Sequence, residues 1–141
     1  MAYVSVYGHT KEAAELLAAK LEEKGCEKVA IADLARDDMA ECVEDAFRYD
    51  RLVLASTTYN GDIFPYMNTF IENLLERNYQ NRKIGFVENG TWAPAAKRIM
   101  QAKFEKSKNI TFFENSVTLK SALNDESKAA IEAMAEEIVN A

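Results

Sequence analysis

The stretch Ala2–Leu21, AYVSVYGHTKEAAELLAAKL, passes from β-forming residues to a helical pattern with hardly any loop between them. Tyr3–Val6 has the composition of a strand, and Gly8 interrupts it. From Ala14 to Leu21 the apolar residues recur at i, i+3, i+4 and i+7, the spacing of one helix face. We expect that helix to start near Thr10. Such a short turn between a strand and a helix is typical of a binding site at the helix N-terminus.

Strand and helix patterns alternate along the rest of the chain. The run RLVLAS (Arg51–Ser56) is almost continuously apolar, as in a parallel strand buried on both faces. The other predicted strands are Val29–Ala32, Lys83–Glu88 and one within Ile110–Leu119. The predicted helices lie around Met39–Ala46, after Pro65, after Pro94, and after a cap at Asn124 or Asp125.

Five strands that alternate with five helices predict an α/β domain with a doubly wound parallel sheet and helices on both faces. Five strands favour the order 2-1-3-4-5 over the six-strand Rossmann order. With 141 residues and no linker or repeat, residues 1–141 are expected to form a single domain. Ligands of such sheets bind beyond the carboxyl ends of the strands, so the loops after strands one, three and four are the candidate site.

Composition and charge exclude several classes of function. The net charge of −6 argues against a nucleic-acid partner. The charge permits a partner with a basic face, and the alternative is that it serves solubility alone. No apolar run approaches membrane-spanning length, so we expect no membrane partner and a cytoplasmic location. Cys26 and Cys42 lack the spacing of a metal site and are expected to be reduced thiols.

The first loop, Ser5–Thr10, has the features of an anion site. Gly8 permits a tight turn, Ser5 and Thr10 carry hydroxyls, and the helix that follows directs amide N–H groups and its positive dipole end at the loop. The loop has neither the Walker sequence nor the glycines of the dinucleotide fingerprint. The alternative is an ordinary strand-to-helix turn capped by Thr10.

The third and fourth loops each present an aromatic residue beside a glycine. In Ser56–Pro65, Tyr59 precedes an Asn-Gly pair, which is typical of a turn with positive φ. In Glu88–Pro94, Trp92 follows a second Asn-Gly pair. Either ring alone is explained by packing, but two rings beside a phosphate-type turn predict a slot for a flat, phosphorylated cofactor.

These three loops, in this order, resemble those of flavodoxins, small FMN-binding electron carriers. The resemblance covers essentially the whole chain, and ASTTYNGDIFPYM (55–67) and ENGTWAPAA (88–96) are similar to the C-terminal flavodoxin-like domain of flavodiiron proteins. Flavodoxins usually have Thr-Gly-x-Thr in their first loop, where this chain has Tyr7-Gly8-His9-Thr10. That departure favours the flavodiiron type.

The resemblance implies FMN as the cofactor and assigns residues to its parts. The phosphate would be held by Ser5, Tyr7, Gly8, His9 and Thr10. The ribityl chain and one ring edge would lie along Thr57, Thr58, Tyr59, Asn60 and Gly61. The other side of the cofactor would be formed by Glu88, Asn89, Gly90, Thr91 and Trp92. For His9, the single histidine, we expect an exposed loop side chain, with a phosphate contact as the alternative.

The function implied by the resemblance is electron transfer, with no catalytic side chain. In a flavodiiron parent, FMN would receive electrons from a reductase or a rubredoxin-like donor and pass them to a diiron centre that reduces oxygen or nitric oxide. One histidine cannot supply that centre, so no metal site is expected in this chain. Because the first strand starts at Ala2 or Tyr3 without a lead-in, we expect a domain taken from a larger protein, with a free-standing flavoprotein as the alternative.

Two other functions compete with electron transfer. A flavodoxin-like NAD(P)H-dependent quinone or FMN reductase would need a second binding motif, and the sequence shows none. A phosphorylated receiver domain would need an aspartate at the end of strand three, where Ser56 and Thr57 stand, so that function is rejected.

Trp92 provides a direct test of the predicted slot. If its ring lies against the flavin, FMN binding should quench Trp92 fluorescence, and Trp92→Ala should raise the Kd up to about tenfold, since aromatic pairs contribute about 0.5–1.5 kcal/mol beyond burial. Trp92→Phe, which retains a ring, is the control. Equal fluorescence of the apo and FMN-bound proteins would assign Trp92 to packing.

Overall fold

A computed structural model describes residues 1–5, 8–59, 62–90, 95–120 and 122–141. The strands are β1 (Ala2–Tyr3), β2 (Ala32–Asp33), β3 (Arg51–Tyr59), β4 (Asp62–Ile63), β5 (Arg82–Asn89), β6 (Ile110–Phe112) and β7 (Val117–Leu119). The helices are α1 (His9–Glu23), α2 (Met39–Arg48), α3 (Pro65–Glu76), α4 (Ala96–Lys103) and α5 (Asp125–Asn140).

The sheet has the doubly wound order that the sequence predicted. Its strands follow the order β2-β1-β3-β5-β6 and are parallel, so β5 is the predicted fourth strand. The short β4 pairs antiparallel with the end of β3 through Thr58–Ile63 and Tyr59–Asp62. The prediction of an α/β sheet of the order 2-1-3-4-5 is therefore confirmed.

The predicted fifth strand is divided into two pieces that both pair with β5. β6 lies beside Arg82–Ile84, and β7 lies beside Val87–Asn89. Between them, the amides of Glu114 and Asn115 each donate to the Glu137 carboxylate of α5 over 2.8 Å. A carboxylate that accepts two backbone amides satisfies donors that the interrupted strand leaves unpaired.

Two predicted strand positions and one helix start differ from the structure. β1 ends at Tyr3 rather than Val6, which lies outside the described residues, and β2 lies at Ala32–Asp33 rather than Val29–Ala32. The helix α1 begins at His9 with Gly8 as its N-cap, so Thr10 occupies the first turn and is not the cap. The cause is a glycine with φ of 87°, a conformation that a residue with Cβ rarely adopts.

Three other helix starts agree with the sequence patterns or refine them. Pro65 is the first residue of α3, and Asn124 caps α5 by accepting from the Ser127 amide over 2.8 Å. The helix α4 begins at Ala96, after an N-cap at Ala95 that forms no side-chain hydrogen bond. Pro94, predicted to open this helix, lies outside the described residues.

Apolar residues pack against both faces of the sheet. The helices α2, α3 and α4 cover one face, and α1 and α5 cover the other. Successive residues of β3 face opposite sides of the sheet, so that Val53 packs on the side of α1 and α5, and Leu54 packs on the side of α2, α3 and α4. At Gly85, a Cβ atom would lie 2.4 Å from Met134 Cε, which explains a glycine in the middle of β5.

Both cysteines are free thiols, as the sequence predicted. Cys42 is buried in α2, and Cys26 is half-buried after α1. Burial and the neighbouring carboxylates, of which Asp37 contributes most, raise the pKa of Cys42. A raised pKa keeps the thiol protonated and unreactive at neutral pH.

The Glu137 carboxylate should make the stability of the fold depend on pH. Burial by itself raises its pKa, but the hydrogen bonds from Asn115 and Glu114 outweigh burial and lower the pKa overall. Because this pKa is lower in the folded than in the unfolded protein, the ionised carboxylate stabilises the fold at pH values above the unfolded-state pKa. The stabilisation is lost as the pH falls through the folded-state pKa. Glu137→Gln should therefore lower the free energy of unfolding at pH 7 by about 1 kcal/mol, and by less in acid.

Urea unfolding of both proteins between pH 7 and pH 3 measures this difference. The control is Glu126→Gln, a substitution at an exposed position in the first turn of the same helix. If the loss of unfolding free energy caused by Glu137→Gln stayed constant across this pH range, the role of the carboxylate charge would be contradicted.

Candidate functional site

The candidate site lies where the carboxyl ends of β1, β3 and β5 meet at one edge of the sheet. Tyr3 pairs with Ala55, and Thr57 pairs with Asn89 at the end of the central register. The third and fourth loops therefore leave the sheet side by side, and the N-terminus of α1 approaches them. This is the edge at which the sequence predicted ligand binding.

Ser5 shapes the first loop. Its hydroxyl oxygen accepts from the Gly8 amide over 3.1 Å and from the Lys11 amide over 3.2 Å. Within the described residues, the amides of His9 and Thr10 have no acceptor. Two unpaired amides at the positive end of a helix are suited to a phosphate.

His9 is less exposed than the sequence suggested. Its side chain is half-buried, and Nδ1 is shielded from solvent without a hydrogen-bond partner among the described residues. A shielded polar atom without a partner costs free energy, so such atoms usually have a ligand, an ion or a water nearby. The expectation of an exposed loop side chain is corrected, and the alternative of a ligand contact gains support.

One side chain from each loop meets in a small hydrogen-bonded cluster. Thr10 Oγ1 lies 3.4 Å from Thr57 Oγ1 and accepts from Asn89 Nδ2 over 3.3 Å. Thr10 is only 1% exposed, whereas Thr57 and Asn89 are half-buried. The cluster joins residues far apart in the chain and fixes the three loops relative to one another.

Thr58 and Glu88 contact α4. Thr58 Oγ1 accepts from the amides of Ala95 and Ala96 over 3.1 and 3.3 Å. Glu88 is 9% exposed; its Oε1 accepts from the Lys97 amide over 3.3 Å. Because alanine is a poor N-cap, these two side chains replace a local cap, and the Glu88 charge is favourable at the positive helix end.

Thr118 is a contributor that sequence reasoning missed. Its hydroxyl donates to Glu88 Oε2 over 3.0 Å and so engages the second carboxylate oxygen. In Val117–Leu119 a polar residue stands between two apolar ones, and this alternation was the available sequence signal that Thr118 faces away from the core, as the burial pattern of β7 shows.

The remaining predicted site residues are only partly described. The Gly90 amide donates to the Leu119 carbonyl over 3.0 Å and ties the start of the fourth loop to β7. The backbone of Tyr59 ends β3 opposite Asp62. Five predicted contacts lie outside the described residues: Tyr7, Asn60, Gly61, Thr91 and Trp92.

The family follows from comparison with known domains. A model of the flavodoxin domain matches residues 1–135. The chain belongs to the flavodoxin family. Membership implies FMN as the cofactor, as the sequence predicted. A search of curated proteins finds no match.

Solved structures with the same fold include both free-standing flavodoxins and flavodiiron proteins. Rubredoxin oxygen:oxidoreductase from Desulfovibrio gigas is 17% identical with a TM-score of 0.91, over 99% of this chain and 34% of that one. The flavodiiron protein from Giardia intestinalis is 19% identical with a TM-score of 0.85, over 96% of this chain and 34% of that one. Flavodoxin 1 from Bacillus cereus is 19% identical with a TM-score of 0.84, over 99% of this chain and 95% of that one.

The residues of this flavodoxin domain fit an FMN phosphate. One helix N-terminus brings together the shielded His9 Nδ1, the half-buried Thr57 hydroxyl and two amides that have no acceptor in the part of the chain that the structure describes. In the described part of the chain, no three or more His, Cys, Asp or Glu side chains are grouped to hold a metal ion. None of the helices described is both long and apolar enough to span a membrane.

Thr58→Val tests whether the Thr58 hydroxyl caps the start of α4. Valine keeps the shape of threonine but removes the acceptor of two amides, so the apoprotein should lose about 1–2 kcal/mol of unfolding free energy. Urea unfolding gives the value, with Thr111→Val on β6 as an exposed strand control. Equal losses in the two variants would show that the Thr58 hydroxyl does not cap α4.

Proposed function

We propose that this chain is one FMN-binding electron-transfer domain spanning residues 1–141. The observation that carries the proposal is the meeting of three loops at the N-terminus of α1, where the amides of His9 and Thr10 have no acceptor in the described part of the chain. That arrangement suits a phosphate, and FMN carries a single phosphate group.

The residues have distinct tasks in this proposal. Ser5 keeps the first loop closed, and the amides of His9 and Thr10 hold the phosphate. The Thr57 hydroxyl, which the resemblance places along the ribityl chain, lies beside Thr10 and contacts the phosphate as well in this proposal. Tyr59 and Trp92 would lie in contact with the flavin ring, as the resemblance implies. Bound FMN supplies the redox chemistry, while the protein positions it and sets the electrostatics around it. No side chain acts as an acid, base or nucleophile.

We further propose that electrons pass from this domain to a diiron centre held elsewhere. This proposal is supported by the similarity to the Desulfovibrio gigas and Giardia intestinalis proteins, of which the chain spans 34%. The donor would be a reductase or a rubredoxin-like protein, and the acceptor a diiron domain that reduces oxygen or nitric oxide, in the cytoplasm. The fold does not distinguish this role from that of a free-standing flavodoxin, because the Bacillus cereus flavodoxin matches over 99% of the chain.

The first test identifies the cofactor. The purified protein should be yellow, and mass spectrometry of the compound released on denaturation should find FMN in a 1:1 ratio. Apoprotein titrated with FMN, FAD and riboflavin should prefer FMN, since the site offers one phosphate-binding turn. Recovery of FAD, or a protein that binds no flavin, would contradict the proposal.

The second test separates a carrier from a reductase. NADH alone should leave the visible spectrum of the FMN-bound protein unchanged, whereas NADH with a rubredoxin reductase and rubredoxin should bleach it. Addition of a diiron domain and oxygen or nitric oxide should restore the absorbance. Rapid bleaching by NADH without any partner would favour the NAD(P)H-dependent quinone or FMN reductase instead.

A further inference from the structure

A concentration of positive charge follows the fourth loop in a protein whose net charge is −6. Residues 97–108 contain five basic residues and one acidic residue, and they form most of α4 and the turns after it. The basic residues, called here the basic strip, are Lys97, Arg98, Lys103, Lys106 and Lys108. Arg98, Lys106 and Lys108 are exposed, and the other two are half-buried. The sign of the net charge therefore does not describe this part of the surface.

The charges of the basic strip are not balanced within the protein. Among the described residues, none of the five forms an ion pair, whereas Lys11, Lys20 and Lys24 each pair with a glutamate. The ammonium group of Lys97 donates instead to the neutral Ser116 hydroxyl over 3.0 Å. Because unpaired surface charge extends its field into the solvent, the strip can attract a partner of opposite charge.

Lys97 and Arg98 are also unfavourable for the helix that carries them. They are the second and third residues of α4, at the positive end of the helix dipole, where cations lower helix stability. Glu88 lies at the same end, but its oxygens accept from the Lys97 amide and the Thr118 hydroxyl and form no ion pair with either cation. A local cost that the fold does not offset is typical of residues with a functional role.

The basic strip begins beside the candidate flavin site. Thr58, in the third loop, accepts from the amides of Ala95 and Ala96, which directly precede Lys97. The first turn of α4 is thereby held against a loop that borders the flavin in the proposed function. A partner docked on Lys97 and Arg98 would be close to that flavin.

We propose that the basic strip docks an acidic electron-transfer protein beside the flavin. Complementary charge would raise the rate of encounter and orient the redox centre of the partner toward the cofactor. A nucleic acid or an anionic membrane would extend past the strip over the acidic remainder of the surface, which repels it, whereas a small acidic protein can contact the strip alone. This docking role rests on the proposed function, because the partner needs a flavin with which to exchange electrons.

The sign of the salt dependence of electron transfer tests this role. The probe is a reduced rubredoxin of net negative charge, mixed with the FMN-bound protein by stopped flow; each productive encounter oxidises one ferrous rubredoxin and adds one electron to the flavin. Repulsion between two proteins of net negative charge would make the rate rise with salt. Docking on the basic strip predicts the opposite: the second-order rate constant should fall about tenfold between ionic strengths of about 0.01 and about 1 M.

Charge reversal locates the docking surface. Arg98→Glu should slow the reaction about three- to tenfold at low salt, and the difference should vanish at about 1 M because salt screens both charges. The control is Lys128→Glu, which makes the same change in net charge at an exposed position of α5, on the other face of the sheet, and should leave the rate unchanged. Urea unfolding and FMN titration establish that each variant is folded and binds the cofactor.

A second reversal keeps the role testable if Arg98→Glu does not fold. The double variant Lys106→Glu with Lys108→Glu changes two exposed residues of the strip outside α4 and should also slow the reaction at low salt.

Several outcomes would overturn the docking role. These are a wild-type rate that rises with salt, no reaction with rubredoxin at any salt concentration, and equal effects of Arg98→Glu and Lys128→Glu. Binding to an RNA or to anionic phospholipid vesicles that Arg98→Glu abolishes, without any change in the rubredoxin reaction, would also overturn it. The proposed function fails separately, if the wild-type protein binds no FMN.

Discussion

The parallel pairing of β3 with β5 is the constraint on which the candidate site depends. The register runs without interruption from Arg51–Lys83 to Thr57–Asn89 and forms the centre of the sheet. A shift by one residue would turn the apolar side chains of a strand to the wrong face, and both faces here are buried under helices. Burial of Leu54 and Phe86 on one face and Val53 and Val87 on the other thus fixes Thr57 beside Asn89.

Polar groups at the carboxyl edge of the sheet are divided between two tasks. Ser5, Thr58 and Glu88 satisfy backbone amides at the starts of α1 and α4. These bonds are needed because a helix start leaves amides unpaired, and an unpaired buried amide is costly. Among the described residues, the amides of His9 and Thr10 at the start of α1 have no acceptor, and the phosphate is assigned there.

The fold accommodates two kinds of protein that differ in their partners. Free-standing flavodoxins and flavodiiron proteins superimpose on this chain to a similar degree. The sheet edge and its loops place the candidate flavin site, whereas the fold by itself does not select an electron donor or acceptor. The identity of the redox partners is therefore a question for kinetics with defined donors and acceptors.

The sequence by itself determined the fold class, the strand order, the three loops and the cofactor class. These follow from local signals: apolar periodicity, glycine and proline at turns and helix starts, and hydroxyl residues after strands. The tertiary structure decided the partners of individual polar side chains. Thr57 and Thr58 are adjacent and chemically identical, yet alternation along β3 directs one to Thr10 and the other to the amides that start α4. Likewise, the amides in the break of the last strand are satisfied by Glu137, which is distant in sequence and reaches Glu114 and Asn115 only because α5 packs on the sheet. Such contacts join distant segments, so no local pattern could have revealed them.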